Sequence, residues 1–337
     1  MRELNFVEPG RLEWREVDEP RLQGNGEALV RPLAVATCDL DTMVIAGRVP
    51  YEGPFPFGHE CVAEVVDVGD GVGTVAPGRL VSVPFQISCG GCHACLEGRT
   101  GSCTETPRMA MYGLPLGGEW GGFLSDLVRV PYADAMLVPL PDGVDPAAAA
   151  SVSDNIVDGW RTVGPQLAEQ PGAAVLVCAG SGSIDLYAAG IAVALGSERV
   201  DFVGGRGDAA ELATRLGANA IGGEFPDRLG PYPITVDASA SHEGLACALR
   251  STAPDGTCTS VGIYFEPQTP VPLLEMYTKG ITFRTGRVHA RPAIPEVLEL
   301  ISRGSFDPAQ VTRRAIAWDD APEALAEHFE KLVISRA

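Results

Sequence analysis

Four of the nine cysteines fall in one stretch, Cys89-Gly90-Gly91-Cys92-His93-Ala94-Cys95 followed by Cys103. Two residues separate successive thiols in the first three. A turn of that length converges sulfurs on one ion, and Gly90 and Gly91 let the backbone curl without steric cost. The pattern predicts a closed, tetrahedral four-thiolate zinc site. Such a site has no open coordination position, so any catalytic metal must sit elsewhere. Disulfide pairing is the alternative, and the rest of the chain argues against it. The start, Met1-Arg2-Glu3-Leu4-Asn5, lacks the apolar stretch of a secretory signal, no apolar run of about 18 residues is present, and a cytoplasmic protein is expected.

The remaining composition bounds the fold more than the chemistry. With 337 residues, 45% of them hydrophobic, the chain is long enough for two domains with real cores. A formal charge of −19 argues against nucleic acid or an anionic membrane as partner, since either calls for a basic face. Up to about residue 150, short strand candidates broken by Gly and Pro (27–31, 61–68 and 79–83) predict an irregular β-barrel. From residue 151 the pattern changes. Strand candidates 174–178, 199–203, 234–237, 257–261 and 281–284 alternate with helical segments 184–195, 208–216 and 242–249, which predicts a doubly wound parallel sheet. After about residue 288, amphipathic helices are expected near 293–303 and 321–332, with a short strand between them returning to the first domain. A chain that crosses twice in this way should leave a ligand-binding cleft between its domains.

A second metal site is suggested upstream of the cysteine stretch. Gly58-His59-Glu60 enters the strand at Cys61, and Cys38-Asp39-Leu40-Asp41 follows the apolar strand ending near Ala36. With Ser153-Asp154-Asn155 at the crossing, they suggest a site of Cys38, His59 and Asp154. Three protein ligands leave one position open, the arrangement of a catalytic zinc. For Asp154 the competing reading is a helix N-cap.

Taken jointly, Cys38, Gly58-His59-Glu60, the four-cysteine stretch and a downstream glycine-rich turn resemble the zinc-containing medium-chain dehydrogenases/reductases, the alcohol dehydrogenase superfamily, along essentially the whole chain. The resemblance implies an α/β protein: a GroES-like β-barrel catalytic domain (1–150 and 288–337, with the structural zinc lobe at about 86–106) and a Rossmann domain (151–287). It implies two zinc ions per chain, one on Cys38, His59 and Asp154 and one on Cys89, Cys92, Cys95 and Cys103. Glu60 is then a near neighbour able to become a transient ligand, and Asp41 matches the aspartate that fixes the tautomer of the ligand histidine. Homodimers or homotetramers, joined through edge strands of the nucleotide-binding sheet, are usual in the family.

The cofactor motif follows the strand at Val175. Gly180-Ser181-Gly182-Ser183-Ile184-Asp185 resembles Gly-x-Gly-x-x-Gly, in which the turn lets pyrophosphate approach the helix amides. Asp185 replaces the third glycine. It costs little if aimed at solvent and weakens cofactor binding if it faces the phosphates. About twenty residues on, the place of the acidic ribose anchor is taken by Gly204, followed by Gly205 and Arg206. This pattern favours NADP, with NAD possible; Asp201 competes as anchor only if its strand ends early. Val261-Gly262-Ile263 resembles the segment lining the nicotinamide pocket, and Arg287 and His289 lie on the return segment.

The implied reaction is reversible hydride transfer between NADP(H) and a small or medium alcohol, polyol or its carbonyl. One departure bears on mechanism: the family's relay hydroxyl two residues after the ligand cysteine is Leu40 here. The proton must then leave through water, Glu60, Thr42 or Ser153. An enoyl-type reductase, which needs no such relay, is the alternative within the enzymes. A turnover-deficient, zinc-stabilised binding protein is the alternative outside them. Leu40, Tyr51, Trp120 and Ile156 are expected to line the substrate pocket, although Trp120 reads equally well as a loop anchor.

Overall fold

The computed structural model describes residues 1–336 apart from Arg206 and His328, so the expected NADP-pairing cation, Arg206, lies outside the described residues. Contacts divide the chain into two compact units, Met1–Val157 with His289–Ala337, and Asp158–Val288.

The first unit is built on a long antiparallel pair. Strands Ala28–Ala36 and Glu60–Val68 alternate or run continuously apolar, and they pair with Ala36 opposite Glu60. Leu80–Val83 and Val138–Pro139 extend the sheet on one side, and Val128–Val130 pairs with Ala28–Ala36. On the other side, Leu332–Ser335 pairs antiparallel with Ala34–Ala36, and Arg314–Ala317 pairs parallel with Leu332–Ser335. The carboxyl-terminal segment therefore closes the same sheet that carries Cys38 and His59. Here the structure corrects the expected helix 321–332. It ends at Ala326, and the apolar run Leu332-Val333-Ile334 forms the buried part of a strand, Leu332–Ser335.

The second unit is a six-stranded, wholly parallel sheet in the order Asn219–Ile221, Val200–Gly204, Val175–Ala179, Tyr232–Asp237, Thr252–Ser260, Thr282–Arg284. Numbered within the unit, this is the order 3-2-1-4-5-6 of a Rossmann sheet. Its topological switch point lies between Val175–Ala179 and Tyr232–Asp237. The strand at Asn219 was not anticipated because three residues are too few to carry a periodic signal. Cys178, Cys247 and Cys258 are buried in this unit's core with Leu176, Val203 and Leu245, where they act as small apolar residues. Among the described residues, no helix is long and apolar enough to cross a membrane.

Candidate functional site

The strand pairing explains how distant residues meet. With Ala36 opposite Glu60, Cys38 and His59 leave their strands at the same end. Asp154 follows a 3-10 turn, Ala150–Ser153, which is pinned to that end because Ser153 Oγ accepts from Cys61 N at 2.9 Å. The Cys38 sulfur, a His59 ring nitrogen and an Asp154 oxygen then lie within 4.8 Å of one another. His59 Nε2 is 3.6 Å from Asp154 Oδ2, and its Nδ1 is 3.6 Å from Asp41 Oδ1. Asp41 is held in turn by Cys38 N, which donates to Oδ2 at 2.8 Å.

The charges around this cluster call for a cation. Burial pushes the Cys38 thiol well above its usual range, and Asp154, Glu60, Asp41 and Asp39 push it further. Burial likewise raises the Asp41 carboxyl to about 7. Glu60, fully buried, is raised by desolvation and partly restored by Lys331. A soft sulfur, an imidazole and a carboxylate converging among acidic groups fit zinc, whose charge would offset this crowding.

Sequence reasoning did not find Lys331. It is buried, with Nζ 2.7 Å from Glu60 Oε2, and it also donates to the Thr37 carbonyl. Ser151 Oγ donates to the same glutamate oxygen, and Asn155 N donates to Oε1 at 3.2 Å. Glu60 is thus fixed on both oxygens. Nothing local marks Lys331, which is 271 positions from its partner; only the fold brings them together.

The hydroxyls considered for proton exit have local partners. Thr42 Oγ1 donates to the Asp39 carbonyl at 3.1 Å, and Ser153 Oγ donates to Ala150 O at 3.2 Å. Of the residues expected at the pocket, Ile156 is fully buried and Leu40 and Tyr51 are half-buried. Trp120 Nε1 donates to Gly117 O at 2.8 Å, which makes it an anchor of its own loop.

The four-cysteine lobe forms a separate cluster, its sulfurs also within 4.8 Å of one another and none in a disulfide. Gly90 alone supplies the tight turn, at φ +73°, and a Cβ there would lie 2.4 Å from Ala135 Cβ. Backbone amides point at sulfur: Gly91 N and Cys92 N reach Cys89 Sγ at 3.4 and 3.3 Å, and Cys89 N reaches Cys103 Sγ at 3.4 Å. Hydrogen bonds from Thr104 and Cys95 bring the Cys92 thiol down to about 5. His289 belongs to this neighbourhood, with Nδ1 accepting from Gly101 N at 3.1 Å.

In the second unit the glycine turn sits at the switch point. A Cβ on Gly180 would lie 2.5 Å from the Ala238 carbonyl, so the close approach requires glycine. Ser181, Gly182, Ser183 and Ile184 carry the turn into helix Ile184–Ala194. Asp185 is not aimed at solvent. It is 1% exposed, and its Oδ2 accepts from Gly180 N at 2.9 Å. Gly204 and Gly205 have φ +81° and +82°, and a Cβ on Gly204 would lie 2.7 Å from the Phe225 ring. Asp201 does not compete as ribose anchor. Its strand runs on through Gly204, and its fully buried carboxylate pairs with Arg199, Asn219 and Tyr232. Val261 N donates to Asp237 O at 2.8 Å, which carries Gly262 and the exposed Ile263 past the end of the central strands. Arg287 is exposed.

Comparison with known proteins agrees with this architecture. Residues 24–142 match the alcohol dehydrogenase GroES-like domain. The chain is 28% identical over 318 residues to the probable zinc-binding alcohol dehydrogenase Rv1895 of Mycobacterium tuberculosis, covering 91% of this chain and 80% of that one. It superposes on the alcohol dehydrogenase TADH of Thermus sp. ATN1 with a TM-score of 0.88 at 27% identity, covering all of both chains. A zinc-binding dehydrogenase from Sinorhizobium meliloti, solved with NADP, has the same fold (TM-score 0.83, 20% identity, 99% of this chain and 98% of that one). Residues 24–142 thus carry a GroES-like domain of the alcohol dehydrogenase type, and the whole chain is similar in sequence and fold to zinc-type alcohol dehydrogenases.

Proposed function

We propose that the chain transfers a hydride between NADP(H) and an alcohol, polyol or corresponding carbonyl, with a catalytic zinc on Cys38, His59 and Asp154 and a structural zinc on Cys89, Cys92, Cys95 and Cys103. The observation that carries this reading is the convergence of three donors of different chemistry among buried carboxylates. When bound there, zinc supplies a Lewis acid for the substrate oxygen, and the nicotinamide supplies or accepts the hydride. The protein's own part is positioning. Asp41 faces Nδ1 of His59 and so favours presentation of Nε2 to the site. Lys331 and Ser151 hold Glu60 beside the ligands. With Thr42 and Ser153 donating to carbonyls, Glu60 or water is the route left for the alcohol proton. That same lack of a ready hydroxyl relay, together with Leu40, favours a second reading, an enoyl-type reductase.

Gly204 supports the cofactor preference. Phe225 fills the direction in which an anchor side chain would project, and no carboxylate there repels a 2′-phosphate. The chain is proposed to be a homodimer or homotetramer. Leu273, Leu274 and Tyr277 are exposed on helix Leu273–Lys279, which precedes the edge strand Thr282–Arg284. A cytoplasmic site is proposed because all nine cysteines are free.

One preparation tests these points. Metal analysis should give about two zinc ions per chain, fluorescence titration should favour NADPH over NADH, light scattering should give an oligomer, and a panel of alcohols, carbonyls and enones should identify the substrate class. One zinc and no nucleotide binding would reject the dehydrogenase reading in favour of a binding protein.

A further inference from the structure

The glycine turn of the second unit already holds an anion of its own. Asp185 lies in the first turn of helix Ile184–Ala194, directly after the turn that begins at Gly180. It is 1% exposed, with Oδ2 accepting from Gly180 N at 2.9 Å and Oδ1 from Leu186 N at 2.7 Å. Leu186 N is among the first helix amides, which have no carbonyl partner four residues back within the helix. The carboxylate therefore takes one donor from the turn and one from the helix start. Phosphate groups bind at such helix starts through these same kinds of donor.

Magnitudes decide the consequence. A helix presents about +0.5 of a charge at its amino end, and an ionised carboxylate contributes −1. With both Asp185 oxygens accepting from Gly180 N and Leu186 N, the carboxylate uses donors of the turn and the helix start and opposes a second anion brought to the same place. On the neighbouring strand, Asp237 is also fully buried, and its oxygens accept from Ser239, Ser260 and Tyr264. Two buried acids thus lie at the switch point, one ending Tyr232–Asp237 and one in the first turn of Ile184–Ala194.

We propose that Asp185 sets cofactor affinity in this chain: as an internal anion at the pyrophosphate seat, it stabilises the empty turn and weakens the binding of any dinucleotide diphosphate. This rests on the dinucleotide reading above. Asp185 is a positioning residue for its own turn, and repulsion of pyrophosphate is the cost of that role.

The test is fluorescence titration of the full chain with NADPH and NADH, together with thermal unfolding without nucleotide, for the native protein, Asp185→Asn and Asp185→Gly. Asp185→Asn removes the charge at nearly constant size. It should tighten dinucleotide binding at least about tenfold, while lowering the nucleotide-free Tm by about 2–4 °C, the shift expected for a lost interaction of about 1 kcal/mol. Adenosine 2′-phosphate, which lacks the pyrophosphate, should bind native and variant chains alike. Opposite signs in affinity and stability are what a merely structural residue would not give. Unchanged or weaker dinucleotide binding in the variants, with the native chain still binding, overturns the proposal and leaves the dehydrogenase reading standing. Equal tightening of adenosine 2′-phosphate also overturns it, because the effect would not then act at the pyrophosphate. If Asp185→Asn does not fold, Asp185→Gly, which restores the motif's own residue, is read by the same criteria. Absence of dinucleotide binding in every chain overturns the functional reading and the proposal with it.

Discussion

The two cysteine-containing clusters of the first unit hold their sulfurs by different means. In the four-cysteine lobe, the ligands come from one short stretch and local hydrogen bonds reach the sulfurs; those from Thr104 and Cys95 bring Cys92 to about 5 and Cys103 is also lowered, while burial raises Cys89 and pushes Cys95 up to about 12. At Cys38 the ligands come from three separate segments, and burial among four carboxylates drives the thiol up. A local loop can supply donors from its own backbone, and so favours thiolate at Cys92 and Cys103 without help from distant segments. A buried site assembled from distant strands gathers several acids around one thiol, only partly offset by Lys331, and it gains most when a cation arrives. The lobe is suited to holding structure. The assembled cluster offers three donors, which under the proposed function leaves a bound zinc one position for a substrate oxygen.

The comparison can be broken by moving each function to the wrong site. Cys38→Ser should lower kcat/KM by about 10²–10³-fold, equivalent to several kcal/mol of lost Lewis-acid stabilisation, with little change in Tm and one zinc lost. Steady-state kinetics beside metal analysis would read it, and a large fall in Tm with activity preserved would reverse the assignment of the two clusters. Cys92→Ser should do the opposite. Opening the lobe should lower Tm by about 6–12 °C, as a loss of about 3 kcal/mol would, while the folded fraction keeps its kcat. Scanning calorimetry and active-fraction titration would check it, and loss of turnover without loss of Tm would sink the structural role. Asp41→Asn gives the smallest effect. It retains size and hydrogen bonding but removes the charge facing His59 Nδ1, and should weaken zinc at the Cys38 cluster about 10–100-fold without touching the lobe. Competition with a chelator, following release of the two ions separately, would show whether only one of them is affected.

Much of the fold was legible because it is written in local patterns. The continuous apolar run at Val175 and the alternation of strands and helices after residue 151 correspond to the central parallel strands within a residue or two at Val175–Ala179 and Val200–Gly204. Strand Asn219–Ile221 and the strand at Leu332 were missed. The first is an edge too short to carry periodicity, and the second resembles the end of an amphipathic helix until its pairing with Ala34–Ala36 is seen. Candidate ligands were legible for a related reason. Cysteine, histidine and aspartate beside strand ends are few, and their spacing narrows the choice.

What the sequence by itself determined was therefore the inventory: four thiols at turn spacing, a cysteine and a histidine at two strand ends, a glycine turn with a carboxylate in place of its third glycine, and Leu40 where a hydroxyl was expected. Tertiary structure alone decided what those groups do to one another. It buried Lys331 against Glu60, spent the hydroxyls of Thr42 and Ser153 on backbone carbonyls, and turned Asp185 inward onto Gly180 N. The physical reason is that residue type and local spacing are properties of a short segment. Desolvation and charge pairing depend on which distant segments the fold brings within a few ångströms.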